Sequence, residues 1–189
     1  MPRCTEQEAT DEHEVIFKPV SLPGAWVIER ERSEDMRGYF ARTFCREEFS
    51  VQGLETKIAQ CSVSFSRRKG TLRGMHYQSV PCEEIKVVRC DRGAIYDVII
   101  DLRRDSPEFK KHFAIELTEK NGTMLYIPKG LAHGFQTLRD NSEVFYQMSE
   151  PYSAEHACGV RWDDPTFGIS WPPDERTILD RDSSYPDFA

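Results

Sequence analysis

The sequence lacks several features that mark whole classes of protein. No apolar run approaches the roughly 20 residues that span a bilayer, so no membrane segment is expected. No block of basic residues occurs, and the net charge of -7 does not fit a nucleic-acid binder. No succession of basic, apolar and small residues opens the chain, which predicts no secretory signal and a cytoplasmic location. The pattern contains no long amphipathic helix either.

Close cysteine pairs are also missing. The six cysteines have no CxxC spacing, which argues against a zinc site. Without a secretory signal, reduced thiols are expected. Cys61 and Cys90 lie in strand-like runs, where each is predicted to act as a small apolar filler.

The chain does contain a series of short strand-like runs punctuated by glycine, proline and asparagine. At 189 residues it is long enough for one domain with a substantial core. Residues 1–14 are polar and acidic and are predicted to form a mobile tail, and residues 15–189 a single domain. The run at 94–102, rich in β-branched residues, is the strongest predicted strand. The pattern predicts an all-β fold, either a sandwich or a barrel.

Several local predictions accompany this fold class. Residues 40–44 are predicted to form a strand, followed by a helical turn at 46–49. Residues 91–93 are predicted to form a hairpin-type turn, and residues 152–156 a helical turn capped by Ser153.

Residues 57–65 alternate polar and apolar side chains. Strand periodicity places Gln60, Ser62 and Ser64 on one face and the apolar side chains on the other. Two interpretations remain open. Either the polar face lies toward water and the apolar face toward the core, or the polar face lines the inside of a barrel.

Charged and titratable residues cluster at 70–78, in a segment whose pattern is otherwise typical of a buried strand. Arg73 and His76 have opposite strand parity, so an unbroken strand would point them to opposite faces. Gly74 lies between them and permits the bulge that would bring both to one side. The segment is therefore either a proton-handling site around His76 or a half-buried strand with a satisfied histidine and an exposed arginine.

Six stretches occur in order along the chain: DMRGYF at 35–40, GTLRGMHYQ at 70–78, GAIYDVIIDLR at 93–103 with Ser106-Pro107, IPKGLAHGF at 127–135, RWDDP at 161–165 and ISWP at 169–172. Together they resemble the dTDP-4-dehydrorhamnose 3,5-epimerase family. The resemblance implies a cupin-type jelly-roll barrel with a few short helical turns, assembled as a homodimer with exchanged strands. It also implies no cofactor and no metal. His76 has no histidine two residues away, which independently argues against metal ligation by this segment.

Epimerisation next to a keto group requires a base, an acid on the opposite side and groups that stabilise the enolate. By resemblance, His76 is the base and Asp182 is the carboxylate that orients it. Tyr146 matches the family's acid. Lys86 and Arg73 match cations near the keto oxygen and the substrate. On sequence alone, these side chains also fit ordinary roles: a surface acid, a core aromatic and two solvated cations.

The same resemblance implies contacts with a nucleotide-diphosphate sugar. Tyr152 matches an aromatic that stacks on the nucleotide base. Arginines suit the diphosphate because a guanidinium binds phosphate oxygens in bidentate fashion. The predicted substrate-binding set is Arg37, Arg42, Gln60, Ser62, Arg73, His133, Tyr152 and Arg181.

The sequence departs from the family pattern at several binding positions. Arg42 stands where Glu is common, Ser62 replaces an Asn, and Glu84 replaces a Gln. Ala157 replaces an acidic residue, and Arg181 stands where Lys is frequent. The catalytic positions are kept. This combination predicts epimerase chemistry on a changed sugar or nucleotide, with a deoxythymidine-linked 4-keto sugar as the default.

The predicted function is epimerisation of a 4-keto-6-deoxy nucleotide sugar at carbon 3, carbon 5 or both, in deoxysugar biosynthesis. The default substrate is dTDP-4-dehydro-6-deoxy-D-glucose. A keto-isomerase that moves the carbonyl between neighbouring carbons uses the same enolate chemistry and remains an alternative. A non-catalytic cupin that binds a nucleotide sugar and a metal-dependent cupin oxygenase are further alternatives.

Overall fold

The structure is a computed structural model that describes residues 15–188. The strands are β1 (Val15–Pro19), β2 (Trp26–Arg30), β3 (Ser33–Asp35), β4 (Gly38–Phe40), β5 (Gln60–Ser66), β6 (Leu72–Gln78), β7 (Lys86–Arg92), β8 (Ala94–Asp101), β9 (His112–Thr118), β10 (Met124–Ile127), β11 (Leu131–Thr137), β12 (Ser142–Met148) and β13 (Ala157–Gly159). The helices are α1 (Arg46–Val51) and α2 (Asp180–Ser183). The predicted tail at 1–14 lies outside the described residues, and the division into tail and single domain stays a prediction.

Two antiparallel sheets form the jelly roll, in agreement with the predicted all-β class. One has the strand order β1-β2-β10-β7-β12-β5, and the other has the order β13-β6-β11-β8-β9. The core between them takes Val88 and Val144 from the first sheet and Ile99 and Phe135 from the second, each at most 1% exposed. Removing each such apolar side chain from water contributes about 1.5–3 kcal/mol to the stability of the fold.

The turn at Gly93 joins the two sheets, so the predicted hairpin at 91–93 is wrong. Strand β7 belongs to the six-stranded sheet, whereas β8, which begins at Ala94, belongs to the five-stranded sheet. Gly93 has a φ of +78°, and a Cβ there would lie 2.5 Å from Ser142 Oγ. Only glycine fits this sharp change of direction without displacing a neighbour.

Helix α1 covers part of the outer face of the six-stranded sheet. Phe49 of this helix is fully buried and packs edge-on against Phe17, with ring centroids 5.1 Å apart. Phe44 also contacts Phe49, at a centroid distance of 4.8 Å. The predicted strand at 40–44 is therefore wrong, because β4 ends at Phe40 and Phe44 packs onto the helix. The helical turn predicted at 46–49 is confirmed.

The C-terminal segment covers the outer face of the five-stranded sheet. Phe167 and Trp171 pack with Met75 and Val98 in a separate apolar cluster. The backbone of Thr177 then exchanges hydrogen bonds with the start of β6, donating to Gly70 and accepting from Leu72. This attachment brings α2 to the mouth of the barrel.

Strand β5 is the edge of the six-stranded sheet, and its apolar side chains are exposed in the described chain. Val63 is 58% exposed and Phe65 is 42% exposed. The interpretation that this apolar face lies toward the core is therefore wrong. Cys61 is exposed too, so its prediction as a filler is wrong, whereas Cys90 is buried as predicted.

The predicted helical turn at 152–156 is a non-helical turn that leads into β13. The Ser153 hydroxyl does not cap a helix but lies 2.8 Å from Nδ1 of His156. No helix among residues 15–188 is long and apolar enough to cross a membrane.

Candidate active site

A cavity of ≈ 650 Å³ lies inside the barrel, reached from the end where α2 packs. Its wall combines side chains from β5, β6, β7, β11, β12 and α2. Ten of the twelve predicted site residues line it: Gln60, Ser62, Arg73, His76, Lys86, His133, Tyr146, Tyr152, Arg181 and Asp182. The polar row of β5 therefore faces this cavity, which is the barrel-lining interpretation of the alternation at 57–65.

At Gly74, strand β6 changes register, so that its two functional side chains, Arg73 and His76, both face the cavity. The register between β6 and β11 shifts there, with His76 opposite His133 but Arg73 opposite Phe135. A Cβ at Gly74 would lie 2.5 Å from the Cα of Gly134, so the two backbones approach too closely for a side chain. The bulge that the parity of Arg73 and His76 required is confirmed, because both line the cavity.

His76 and Asp182 form a hydrogen-bonded pair. Nε2 of His76 lies 2.8 Å from Oδ1 of Asp182, whose side chain is 2% exposed. Gly74 N–H donates to the other carboxylate oxygen at 3.4 Å, and Arg181 Nε donates to Oδ1 at 3.1 Å. Burial alone would raise the pKa of Asp182, but its bonds with His76, Arg181 and Gly74 outweigh burial and lower that pKa. Asp182 therefore stays ionised next to the imidazole.

A second histidine–carboxylate pair faces the same space. Nε2 of His133 lies 2.8 Å from Oδ1 of Asp97, which is fully buried. Sequence reasoning missed Asp97, although a carboxylate in the middle of the apolar run at 94–102 was an available signal. The His133 ring also meets Tyr146 edge-on, with ring centroids 5.9 Å apart.

Tyr146 projects from β12 into the cavity. Burial raises the pKa of its phenol, the negative charge of Asp97 raises it further, and Arg73 opposes the change. The phenol is therefore protonated at neutral pH and is placed to donate a proton.

Lys86 lies at the start of β7 and is bonded on two sides. Its Nζ donates to the backbone oxygen of His76 at 3.2 Å and to Oε1 of Glu84 at 2.9 Å. Glu84, one of the binding positions at which the sequence departs from the family pattern, also lines the cavity. No cluster of three or more His, Cys, Asp or Glu side chains that could hold a metal ion occurs within residues 15–188.

Comparison with known proteins identifies the family. The sequence model of a family described as dTDP-4-dehydrorhamnose 3,5-epimerase matches residues 19–189. This chain belongs to that family. The dTDP-4-dehydrorhamnose 3,5-epimerase of Sinorhizobium fredii is 39% identical over 181 residues, covering 95% of this chain and 93% of that protein.

Solved structures of the family share the fold closely. The Bacillus anthracis dTDP-4-dehydrorhamnose 3,5-epimerase, crystallised with TDP and PPi, aligns with a TM-score of 0.88 at 37% identity, over 93% of this chain and 99% of that one. ChmJ, a 3'-monoepimerase from Streptomyces bikiniensis in complex with dTDP-quinovose, aligns with a TM-score of 0.84 at 34% identity, over 89% of this chain and 86% of that one. The chain is thus a cupin-like jelly roll of the isomerase class.

Two site residues predicted from the epimerase family lie outside the cavity of their own chain. Arg37 sits in the exposed hairpin β3–β4, ion-paired with Asp35. Arg42 follows β4, and its Nη1 lies 2.7 Å from Oε1 of Glu48 on α1. The fold of one chain therefore does not bring these two arginines to the other predicted site residues.

Aromatic side chains lie at the cavity mouth of this epimerase family member. Tyr152 is 63% exposed there, and its backbone N–H donates to Oε1 of Gln60 at 3.0 Å. Tyr185 and Cys158 line the same end and were missed. Nothing in the local sequence marked them, because β13 and the segment after α2 meet only in the fold.

Proposed function

We propose that this protein epimerises a 4-keto-6-deoxy nucleotide sugar next to its keto group, in deoxysugar biosynthesis. The default substrate is dTDP-4-dehydro-6-deoxy-D-glucose, with inversion at carbon 3, carbon 5 or both. The observation that carries the proposal is the presence of the His76–Asp182 pair and the Tyr146 phenol in the wall of one cavity. A base and an acid on one cavity are what inversion of a carbon centre requires.

His76 acts as the base in this proposal. Both Asp182 and Arg181 contact Nε2, with Arg181 Nη2 at 3.1 Å, whereas Nδ1 has no hydrogen-bond partner among residues 15–188. Nδ1 is therefore the nitrogen left to accept a proton. The ionised carboxylate fixes the ring orientation and stabilises the imidazolium that forms. Such acid–base catalysis contributes roughly 10²–10⁴-fold to the rate.

Removal of the proton next to the carbonyl leaves an enolate, whose negative charge the cavity stabilises. Lys86 and Arg73 supply fixed positive charge, and His133 supplies a further polar contact to the sugar. In a cavity filled by substrate, water is displaced and such charges act more strongly than in bulk solvent.

Tyr146 completes the inversion by donating its phenolic proton to the opposite face of the same carbon. The phenolate then regains a proton from water, and the imidazolium of His76 releases the proton that it took. The raised pKa of Tyr146, caused by burial and by Asp97, keeps the donor protonated between turnovers.

The nucleotide-diphosphate part of the substrate binds at the mouth. Tyr152 offers an aromatic face for the base, and Arg181 lies beside the opening for the diphosphate. The changes at Ser62, Glu84 and Ala157 alter the polar lining from the pattern expected of the rhamnose enzymes. The preferred sugar or nucleotide is therefore proposed to differ from the default.

The active form in this proposal is a homodimer. The hairpin β3–β4 is exposed along its length and presents Arg37, while Val63 and Phe65 expose apolar surface on the edge strand β5. Exchange of strands between two chains would cover that edge and bring Arg37 of one chain to the cavity of the other. The cytoplasmic location expected from the sequence stays a prediction.

The direct test is proton exchange in heavy water. Purified protein is incubated with several 4-keto-6-deoxy nucleotide sugars, and deuterium at carbons 3 and 5 is followed by NMR and mass spectrometry. Exchange with inversion at either carbon supports the proposal, and His76→Ala should abolish it. Migration of the carbonyl would identify a keto-isomerase, and tight binding without exchange on any sugar would identify a non-catalytic binder.

A further inference from the structure

Glu84 is a cavity-lining carboxylate that the proton transfers described above do not use. Its side chain is 6% exposed, and its Oε1 lies 2.9 Å from Lys86 Nζ. Its other oxygen, Oε2, is buried and has no hydrogen-bond partner among the residues that the structure describes. A buried carboxylate is costly unless it is paired with a charge. The charge on Glu84 is therefore balanced chiefly by the ammonium of Lys86.

Lys86 is in turn held by one ion pair and one hydrogen bond. Its side chain is 12% exposed, and its Nζ contacts both Glu84 and the backbone oxygen of His76. An ammonium has three N–H donors, so one donor remains for the cavity. Without that ammonium, the Glu84 carboxylate would be buried with no cation beside it.

We propose that Glu84 is a positioning residue that holds Lys86 in its ammonium form and aims it at the enolate oxygen. This inference rests on the proposed function, which places the enolate beside Lys86. Substrate entry displaces water from the cavity, and desolvation favours a neutral amine over an ammonium. The adjacent carboxylate opposes that change, so Lys86 keeps the charge that stabilises the enolate.

Other charges around the cavity do not replace Glu84. Strands β10 and β12 flank Lys86 with Ile127 and Met148, neither of which is charged. Glu150 also lines the cavity, but its Oε1 lies 2.7 Å from Lys57. The remaining charged or titratable groups lining the cavity include Arg73 and His76 on β6, His133 on β11, Tyr146 on β12, and Arg181 and Asp182 on α2. Asp182 contacts His76 and Arg181, which leaves Glu84 as the described carboxylate in contact with Lys86.

The first test is the pH dependence of kcat in the Glu84→Gln variant, which keeps the shape of the side chain and removes its charge. We expect the basic limb of the kcat profile to move to lower pH by about one unit or more, with KM little changed. Glu83→Gln makes the same charge change one residue away, outside the cavity lining, and should leave the profile unchanged. In the Lys86→Gln background, adding Glu84→Gln should have no further effect on the profile.

The second test measures the reactivity of the Lys86 amine directly and does not require catalytic turnover. Wild type and Glu84→Gln are exposed to acetic anhydride at a series of pH values, and acetylation of Lys86 is quantified by peptide mass spectrometry. Only the neutral amine reacts, so the variant should be acetylated about tenfold faster at a given pH near neutrality. Acetylation of Lys57, whose partner is unchanged, is the internal control.

The inference is overturned if Glu84→Gln and wild type share one acetylation profile, or if kcat falls equally at every pH. A wild-type protein that exchanges no deuterium on any 4-keto nucleotide sugar would refute the proposed function instead. In that case the acetylation comparison still decides whether Glu84 controls the charge of Lys86.

Discussion

Asp182 lies 106 residues after His76 in the chain, yet its Oδ1 is 2.8 Å from the imidazole Nε2. A four-residue helix carries the carboxylate, and the pairing of Thr177 with the start of β6 sets its position. The contact joins a bulged strand of the barrel to the end of the chain. Acid–base chemistry in this cavity therefore depends on how the C-terminal segment is attached.

Replacing Asp182 with Asn should lower kcat for deuterium exchange by roughly 10²-fold or more, because the amide supplies no charge to stabilise the imidazolium. The pKa of Asp182 is held below its usual range, so wild-type activity should not follow titration of this group between about pH 5 and 8. The matched control is Asp180→Asn, an exposed acid on the same helix, which should keep near wild-type kcat. Equal losses in both variants would contradict a role for Asp182 in proton transfer.

Replacing Tyr146 with Phe should separate the two halves of the reaction. Proton abstraction by His76 remains, but donation to the opposite face is lost, so inverted product should fall by roughly 10²-fold or more while some exchange with solvent persists. The measurement compares deuterium incorporation with product formation by NMR. Tyr96→Phe, a half-buried tyrosine in the apolar cluster outside the cavity, is the control. Parallel loss of exchange and product would argue against Tyr146 as the acid.

Mixing two inactive variants should restore activity if Arg37 serves the cavity of the partner chain. In the proposed homodimer, Arg37→Ala and His76→Asn subunits co-expressed with different tags would form mixed dimers with one intact site per dimer. We expect such dimers to recover up to about half of wild-type kcat. A mixture of His76→Asn with Asp182→Asn, in which each of the two cavities carries one substitution, should recover nothing. No recovery in the first mixture would place Arg37 outside the site.

Asp101 provides a prediction about stability and pH. It is fully buried and accepts hydrogen bonds from Arg103 Nε at 2.9 Å and Ser106 Oγ at 2.6 Å. Burial raises its pKa, but the bonds from Arg103 and Ser106 outweigh burial and lower it. A lowered folded-state pKa stabilises the protein above the unfolded-state value near 4, and that contribution is lost as pH falls through the folded-state pKa.

Asp101→Asn should therefore lower the free energy of unfolding at pH 7 by about 2 kcal/mol. The difference from wild type should shrink as the pH falls below about 4, because wild type then loses the same interaction. Urea denaturation at several pH values measures both effects. Asp105→Asn, an exposed acid in the same loop, should change stability by less than about 0.5 kcal/mol. A difference that stays constant down to pH 2 would contradict this assignment.

Much of the fold followed from local sequence pattern. The β-branched run at 94–102 forms β8, and the alternating segment at 57–65 leads into β5, because strand propensity and period-two alternation are local properties. The opposite parity of Arg73 and His76 even required the bulge at Gly74. Local pattern failed at 40–44, where a run that looks like a strand packs Phe44 onto α1. It also failed at 91–93, where a turn of hairpin type crosses between sheets.

By itself, the sequence determined the all-β class, the resemblance to an epimerase family and ten of the residues that line the cavity. Only the tertiary structure decided that Asp97 pairs with His133 and Glu84 with Lys86, and it brought Asp182 to His76 as the family resemblance implied. The physical reason is that these partners meet through sheet register and the packing of a distant C-terminal segment. Both depend on long-range hydrogen bonds and buried apolar surface, which no local pattern in the chain encodes.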